Sequence, residues 1–164
     1  AMSKIEVYHG GTEIVERPLC HLGREYVDFG QGFYVTDIKA QALTWAERTS
    51  RLRKAEPLLN VYSFDKEAFM HEARCKVFTA YDCEWLRFIV ANRRGEKAAA
   101  PYDYIEGGIA NDRVINTINF FMQGYYSEEQ TLRRLSEHQP NNQICLRNQS
   151  LLDKYLYYER TEKA

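Results

Sequence analysis

The hydrophobic periodicity changes from strand-like to helical within one short stretch, DFGQGFYVTDIKAQALTW at residues 28–45. Residues 33–36 are Phe-Tyr-Val-Thr, which have strong β propensity. The apolar residues that follow recur at helical spacing, which predicts a helix over residues 38–54. Gly30 and Gly32 precede the strand, where they serve either a tight turn or the close approach of a ligand to the backbone.

The rest of the chain mixes short strand-like and helical segments. Strands are predicted over residues 4–11, 58–64, 75–78, 102–107, 142–148 and 154–159, and helices after Asp65, after Asp82, over residues 113–123 and after Ser127. Ser127 and Gln130 form a capping box for a helix that ends before Pro140. Ser150 caps a single turn before the last strand. Because strands and helices do not alternate regularly and no glycine-rich phosphate loop is present, the pattern predicts an α+β fold.

The composition predicts one domain over residues 1–164, with Ala1 as the remnant of an expression tag. Lys and Arg number 22 against 23 Asp and Glu, so no global positive field points to nucleic acid or to an anionic membrane. No run approaches 18 apolar residues, so the sequence predicts no membrane-spanning helix. The four cysteines form no C-x-x-C pair, which predicts no metal site and a reduced, cytoplasmic protein.

Several segments together resemble the signature of the ADP-ribosyltransferase superfamily, in its diphtheria-toxin and poly-ADP-ribose-polymerase branch. These are VYHGG at residues 7–11, FGQGFYVTD at 29–37, Trp45, and NQICLRN at 142–148. That branch has a His-Gly pair on its first core strand, a G-x-G-[IF]-Y strand before a helix, a second aromatic residue eleven positions after that Tyr, and a Glu that starts a late strand. Tyr34 and Trp45 reproduce the interval. The chain is more closely similar to a bacterial family of this superfamily that carries a His-Tyr-Gln signature.

The resemblance implies a split β-sheet core of two packed, mainly antiparallel sheets with flanking helices. It implies NAD as a substrate rather than a bound cofactor, no metal, and transfer of ADP-ribose to an unidentified macromolecular acceptor with release of nicotinamide. Relatives of this size are often toxin-type bacterial effectors that a protein partner neutralises. The resemblance therefore predicts an ADP-ribosyltransferase or NAD glycohydrolase with such partners and no membrane association.

The resemblance also assigns roles to individual residues. His9, Tyr34 and Gln143 occupy the catalytic positions. Tyr34 and Trp45 would sandwich the nicotinamide ring, since a cationic ring gains from contact with aromatic faces. Gly10 would pair with the carboxamide through its backbone, and His9 would hydrogen-bond the adenosine ribose as a positioning group. Each residue also has an ordinary interpretation: a polar strand end for His9, and core packing for the two aromatic residues.

Two further positions follow from the resemblance. Ala42 stands where the polymerases have a serine that bonds the carboxamide, and Thr36 is a candidate substitute for that serine. Arg24 lies four residues before Asp28 and could reach a pyrophosphate, although a lone arginine is more often part of a surface ion pair.

Gln143 is the main departure, because the transferring relatives have Glu there. A glutamine keeps a hydrogen bond to the ribose but carries no charge, and the loss of a well-placed electrostatic group typically costs about 10²–10³ in rate. Three outcomes stay open: slow transfer with Gln143, a carboxylate supplied by Glu106 or Asp112, or a nucleotide-binding module without turnover. A purely structural domain is a further alternative.

Overall fold

The computed structural model describes residues 4–110, 114–138 and 141–164, and in them seven strands and six α-helices form an α+β architecture. The elements in chain order are β1 (Ile5–Gly11), β2 (Phe33–Val35), α1 (Lys39–Arg53), β3 (Leu58–Phe64), α2 (Lys66–Glu72), β4 (Cys75–Val77), α3 (Cys83–Arg93), β5 (Tyr104–Gly107), α4 (Ile115–Met122), α5 (Glu128–Leu135), β6 (Gln143–Leu146), α6 (Gln149–Tyr155) and β7 (Leu156–Lys163). A short 3-10 helix, Cys20–Leu22, lies between β1 and β2.

The strands form two sheets that, within the described residues, are hydrogen-bonded to each other at one bridge. The first sheet has the order β1-β3-β7 and is antiparallel, and the second has the order β2-β6-β5-β4 with only β4 and β5 parallel. Tyr8 of β1 and Thr36, directly after β2, exchange two backbone hydrogen bonds of 2.8 and 3.0 Å. β1 and β2 are therefore neighbours at this bridge, although they belong to different sheets.

Three groups of buried side chains surround the sheets. The first lies between the second sheet and helices α3 and α4 and includes Phe29, Trp85, Ile105 and Cys145; we call it the helical core. The second fills the space between the two sheets and includes Val7, Phe33, Tyr62, Phe64 and Ile144; we call it the intersheet core. A smaller group, Ala42, Leu59 and Val61, joins α1 to the outer face of the first sheet.

Local capping explains where several helices begin, as the sequence predicts. The Asp65 carboxylate accepts a hydrogen bond from the backbone N–H of Ala68 at the start of α2. Asp82 does the same for α3, whose residues Trp85, Phe88 and Ile89 are buried. Both bonds of the capping box between Ser127 and Gln130 are present at the start of α5.

The prediction for the C-terminal segment is wrong in its boundaries. Residues 149–155 form a two-turn helix, α6, where the sequence predicts one turn and the first residues of a strand. The helix is capped by Asn148, whose side chain accepts from the backbone N–H of Leu151, and not by Ser150, which is exposed. Burial of Leu151 and Leu152 against the intersheet core extends the helix.

Two further sequence expectations concern a membrane-spanning helix and the state of the cysteines. No helix within the described residues is long and apolar enough to span a bilayer. All four cysteines are free thiols.

Candidate functional site

β1 and β2 separate beyond the Tyr8–Thr36 bridge, and this gap leaves the peptide groups of the buried Gly10 unpaired. Peptide groups alternate in direction along an antiparallel strand, and those of Tyr8 point away from β3 to bond Thr36. The N–H and C=O of Gly10 therefore point to the same side as those of Tyr8, and no described residue hydrogen-bonds them there. These two groups are a free donor and a free acceptor at the edge of the first sheet.

The glycine at position 10 is required by the packing of α1 on β1. A Cβ at this position would lie 2.9 Å from the backbone nitrogen of Ala46 and closer still to the carbonyl oxygen of Ala42. The missing side chain thus accommodates the helix, whereas the sequence reasoning expected it to leave room for a ligand. The backbone groups of Gly10 remain the part of this residue that a ligand could use.

His9 is held as a neutral imidazole beside Tyr34. Its Nδ1 donates to the backbone oxygen of Tyr34 at 2.8 Å, since a carbonyl only accepts, and its ring packs on Phe33 with 4.5 Å between centroids. Burial lowers the pKa of His9 below its usual 6.5. With the proton on Nδ1, Nε2 is an acceptor.

Tyr34 is tied to the loop that precedes it. Its hydroxyl accepts from the backbone N–H of Phe29 at 3.1 Å and donates to the carbonyl oxygen of Gly30 at 2.6 Å. Burial raises the pKa of Tyr34 well above its usual value, so the phenol stays protonated. The half-buried ring packs against the helical core, which is the structural role that the sequence left open for this residue.

Gln143 lies one strand away from Tyr34 on the same face of the second sheet. Tyr34 is directly opposite Cys145, and side chains two residues apart on a strand share a face. The Gln143 side chain is almost fully buried, with 3% of its surface exposed, and its Nε2 has no hydrogen-bond partner. Buried polar atoms are nearly always paired in folded proteins. Its Nε2 is therefore an unpaired donor at the residue that replaces the expected glutamate.

A second unpaired atom belongs to Gln41, a residue that the sequence reasoning missed. Two side chains donate to the carbonyl oxygen of Asn142: the Thr36 hydroxyl at 2.6 Å and the Gln41 amide at 2.7 Å. The Oε1 of Gln41 is buried without a partner. The Thr36 hydroxyl also accepts from the backbone N–H of Ile38, so the bonds of the proposed serine substitute already lie within the protein. A polar residue inside a helix gives no sequence signal for such a role.

The other predicted ligand-binding residues differ in their surroundings. Trp45 is half-buried and follows Gln41 by about one turn of α1, so both lie on one side of this helix. Arg24 is exposed in the loop before Asp28. Trp45 therefore shares a helix side with Gln41, whereas nothing in the described contacts draws Arg24 to Gln41 or Gln143.

Glu106 is on the wrong face of the sheet to supply a charge beside Gln143. Gln143 is directly opposite Gly107, and Glu106 points to the other face with Tyr104. There Glu106 pairs with Lys66 at 3.2 Å and accepts from the Asn142 amide at 3.3 Å. The suggestion that Glu106 acts as an auxiliary acid is corrected accordingly. Asp112, the other suggested acid, lies outside the described residues.

Internal packing explains both glycines of the DFGQG loop, residues 28–32. Gly30 has a φ of 76°, and a Cβ at Gly32 would lie 2.6 Å from the sulfur of Cys145. The carboxylate of Asp28 pairs with Arg93 at 2.6 Å and accepts from the backbone N–H of Ala110 at 2.9 Å. The glycines therefore serve a turn and close packing, the simpler of the two interpretations that the sequence allowed.

Arg147, which the sequence reasoning also missed, fixes the same loop from the position directly after β6. Its guanidinium donates to the backbone oxygens of Gln31 at 2.9 Å and Tyr102 at 3.0 Å. The Asp28–Arg93 pair and Arg147 thus hold the loop from two sides.

Comparison with known proteins gives one match. No curated protein matches the chain, and no solved structure does. A protein-family model matches residues 5–158, which include β1 with His9, β2 with Tyr34 and β6 with Gln143. The chain therefore belongs to the family described as protein of unknown function (DUF3990).

Proposed function

We propose that the protein is an ADP-ribosyltransferase-like domain that binds NAD at the gap between β1 and β2 and breaks the bond between nicotinamide and ribose. The observation that carries the proposal is the unpaired, buried Nε2 of Gln143. An unpaired buried donor costs roughly 1–3 kcal/mol of folding free energy, and a ligand acceptor would offset that cost. Because the amide is almost fully buried, entry of the ligand requires side chains around it to move.

The fold agrees with the proposal in one respect. Among the described residues, the Tyr8–Thr36 bridge is where the two sheets are hydrogen-bonded to each other, and beyond it the peptide groups of Gly10 are not paired with β2. His9, Gly10 and Tyr34, which the resemblance assigns to NAD, lie on the two strands that separate there. The strands of His9, Tyr34 and Gln143 are consecutive neighbours. This arrangement supports the proposal of an ADP-ribosyltransferase-like split core.

The reaction needs few groups. The bond between C1′ of the ribose and the pyridine nitrogen breaks, its electron pair leaves with the nitrogen, and nicotinamide departs as a neutral molecule. A hydroxyl of water or of the acceptor then bonds to C1′ and loses its proton to solvent. Gln143 would orient a ribose hydroxyl through Nε2, and the Nε2 of His9, an acceptor in the neutral tautomer, would receive a hydrogen bond from the other ribose.

The second candidate function is an NAD-binding or nucleotide-binding module without turnover. The free atom of Gln143 is an uncharged donor, and Glu106 faces away from it. Asp28 is paired with Arg93, and Asp37 accepts a hydrogen bond from the Asn142 amide. These observations favour weak stabilisation of the positive charge that develops at C1′, and therefore slow chemistry or none.

Nicotinamide release separates the two functions. The purified protein is incubated with NAD, and free nicotinamide is measured by chromatography, while calorimetry measures NAD binding. We expect Gln143→Ala to reduce release about 10²-fold or more. Gln143→Glu adds a charge and should maintain or raise release, mainly above neutral pH, because burial raises the pKa of the new carboxyl group. Binding without release in all three proteins would favour the module.

The aromatic contribution is best tested at Trp45, since Tyr34 also has a structural role. We expect Trp45→Ala to weaken NAD binding by about 1–3 kcal/mol, by analogy with bases stacked on aromatic side chains. Leu52→Ala is the matched control, because Leu52 is 78% exposed on the same helix. Equal affinity of the Trp45→Ala and Leu52→Ala proteins would remove Trp45 from the site.

A macromolecular acceptor of ADP-ribose and a neutralising protein partner are proposed on the basis of the same resemblance. Incubation with labelled NAD and a whole-cell lysate, followed by separation into protein, RNA, DNA and small molecules, would identify the class of acceptor. Label only in free ADP-ribose would instead identify an NAD glycohydrolase.

A further inference from the structure

We infer that Gln41 determines the specificity of this site for a primary amide, by accepting a hydrogen bond from the carboxamide of the ligand. The inference rests on the proposed function, because the ligand considered is the nicotinamide end of NAD. It concerns a residue outside the motif segments, and it is carried by an unpaired atom on α1.

The orientation of the Gln41 amide is determined by its neighbour. Its Nε2 donates to the carbonyl oxygen of Asn142 at 2.7 Å, and an oxygen in that place could not bond another oxygen. The Oε1 therefore points away from Asn142, where it is buried and lacks a partner. A buried carbonyl in this state is an acceptor that a ligand N–H can satisfy.

Gln41 also links β1 to the start of β6. It precedes Ala42, whose carbonyl covers Gly10 on β1, and its amide reaches Asn142, which is bonded to Gln143 at the start of β6. Gln41 therefore connects two chain segments that carry unpaired polar groups, namely β1 at Gly10 and the first residue of β6, Gln143. We call this part of the molecule the corner around Asn142.

These groups complement a primary amide. A carboxamide has one oxygen that accepts and two N–H bonds that donate, whereas the site offers the N–H of Gly10 and two acceptors, the C=O of Gly10 and the Oε1 of Gln41. A carboxylate has no N–H, and it would place a negative charge against two carbonyl oxygens. A site that loses hydrogen bonds to its own buried groups rejects the wrong ligand strongly.

The test compares NAD with its analogue in which nicotinic acid replaces nicotinamide. We expect the natural protein to bind NAD at least about 10²-fold more tightly than the acid analogue, measured by calorimetry. Gln41→Leu keeps similar volume and removes the acceptor, so it should reduce this ratio to about 10-fold or less. Glu47→Gln is the control, because Glu47 is exposed on the same helix and should leave the ratio unchanged.

A ligand-side measurement does not depend on how the variant folds. Free nicotinamide and N-methylnicotinamide, whose methyl group replaces one amide hydrogen, are titrated by NMR into the natural protein. The methylated amide should bind about tenfold or more weakly. Equal binding of the two amides, or an unchanged NAD ratio in a folded Gln41→Leu protein, overturns the inference.

The results also separate this inference from the proposed function. Discrimination between amide and acid that Gln41→Leu reduces, without nicotinamide release, supports the role of Gln41 and contradicts an enzyme. Nicotinamide release without discrimination supports the enzyme and overturns the role of Gln41. A natural protein that binds neither dinucleotide and neither amide overturns both.

Discussion

Two regions of the second sheet differ in how completely their polar groups are paired. In and around the DFGQG loop, the Asp28 carboxylate has two hydrogen-bonding partners and the Tyr34 hydroxyl has two. The Arg147 guanidinium donates to the carbonyl oxygen of Gln31 in the loop and to that of Tyr102 outside it. Around Asn142, the Oε1 of Gln41 and the Nε2 of Gln143 are buried without partners. The first region has satisfied its hydrogen bonds internally, and the second has not.

The difference shows that a motif with glycines is not by itself a place where ligands approach. The glycines of the loop are crowded by protein atoms, and the hydrogen bonds within the loop leave few polar groups free to bind a ligand. The corner around Asn142 pays a folding cost that a ligand would remove. Functional sites commonly retain such incompletely satisfied groups, because the same groups must bind something else.

The largest effect on stability should come from a substitution in the DFGQG loop. Asp28→Ala leaves the partly buried guanidinium of Arg93 without its carboxylate, and we expect the free energy of unfolding to fall by about 3 kcal/mol. Urea denaturation followed by circular dichroism measures this change. The control is Glu129→Ala, which breaks the exposed pair with Arg133 and should cost no more than about 0.5 kcal/mol. Equal losses of stability in the two variants would mean that the Asp28–Arg93 pair stabilises the loop no more than an exposed ion pair does.

A substitution in the corner around Asn142 should change stability in the opposite direction. Gln143→Leu removes an unpaired buried donor at similar volume, and we expect the free energy of unfolding to rise by about 1 kcal/mol. Asn92→Leu is the matched control: this buried amide donates to the backbone oxygen of Asp28 and accepts from the backbone N–H of Ala99, both at 2.9 Å. Its loss should cost about 2 kcal/mol.

Urea denaturation of both amide variants compares the regions directly. A loss of stability in Gln143→Leu equal to that in Asn92→Leu would mean that the Gln143 amide is satisfied in the folded protein. The argument for a ligand at this corner would then lose its basis.

The sequence predicted the parts of the fold that depend on neighbouring residues. The caps at Asp65 and Asp82 and the capping box at Ser127 were confirmed because each joins residues three positions apart. The C-terminal helix was missed because Asn148 and Ser150 are both good capping residues, and burial of the two leucines that follow decided between them. Local rules do not contain that information.

The candidate site could be predicted only in part, for the same reason. The resemblance named His9, Tyr34 and Gln143, whose strands do lie side by side. It missed Gln41, since the bond from Gln41 to Asn142 joins residues 101 positions apart and exists only once α1 packs on β1. The face on which Glu106 lies likewise follows from the register of β5 and β6.

The smallest effect concerns His9, which links the two regions because its Nδ1 is bonded to Tyr34 and its strand, β1, continues into Gly10. Burial lowers the pKa of His9 in the folded protein, whereas the unfolded chain has the usual value of 6.5. Below pH 6.5 the unfolded state therefore binds a proton that the folded state does not, and stability falls as the pH drops. The decrease stops once the pH is below the folded pKa, where both states are protonated. The slope contributed by this one group cannot exceed about 1.4 kcal/mol per pH unit. Urea denaturation between pH 7.5 and pH 5 should show this decrease in the free energy of unfolding.

The His9→Asn variant should lack the contribution of His9 to the decrease, whereas substitution of the exposed His71 on α2 should retain it. Identical pH profiles for His9→Asn and the natural protein would mean that His9 is not held neutral by burial, and its Nε2 would no longer be assured as an acceptor for ribose.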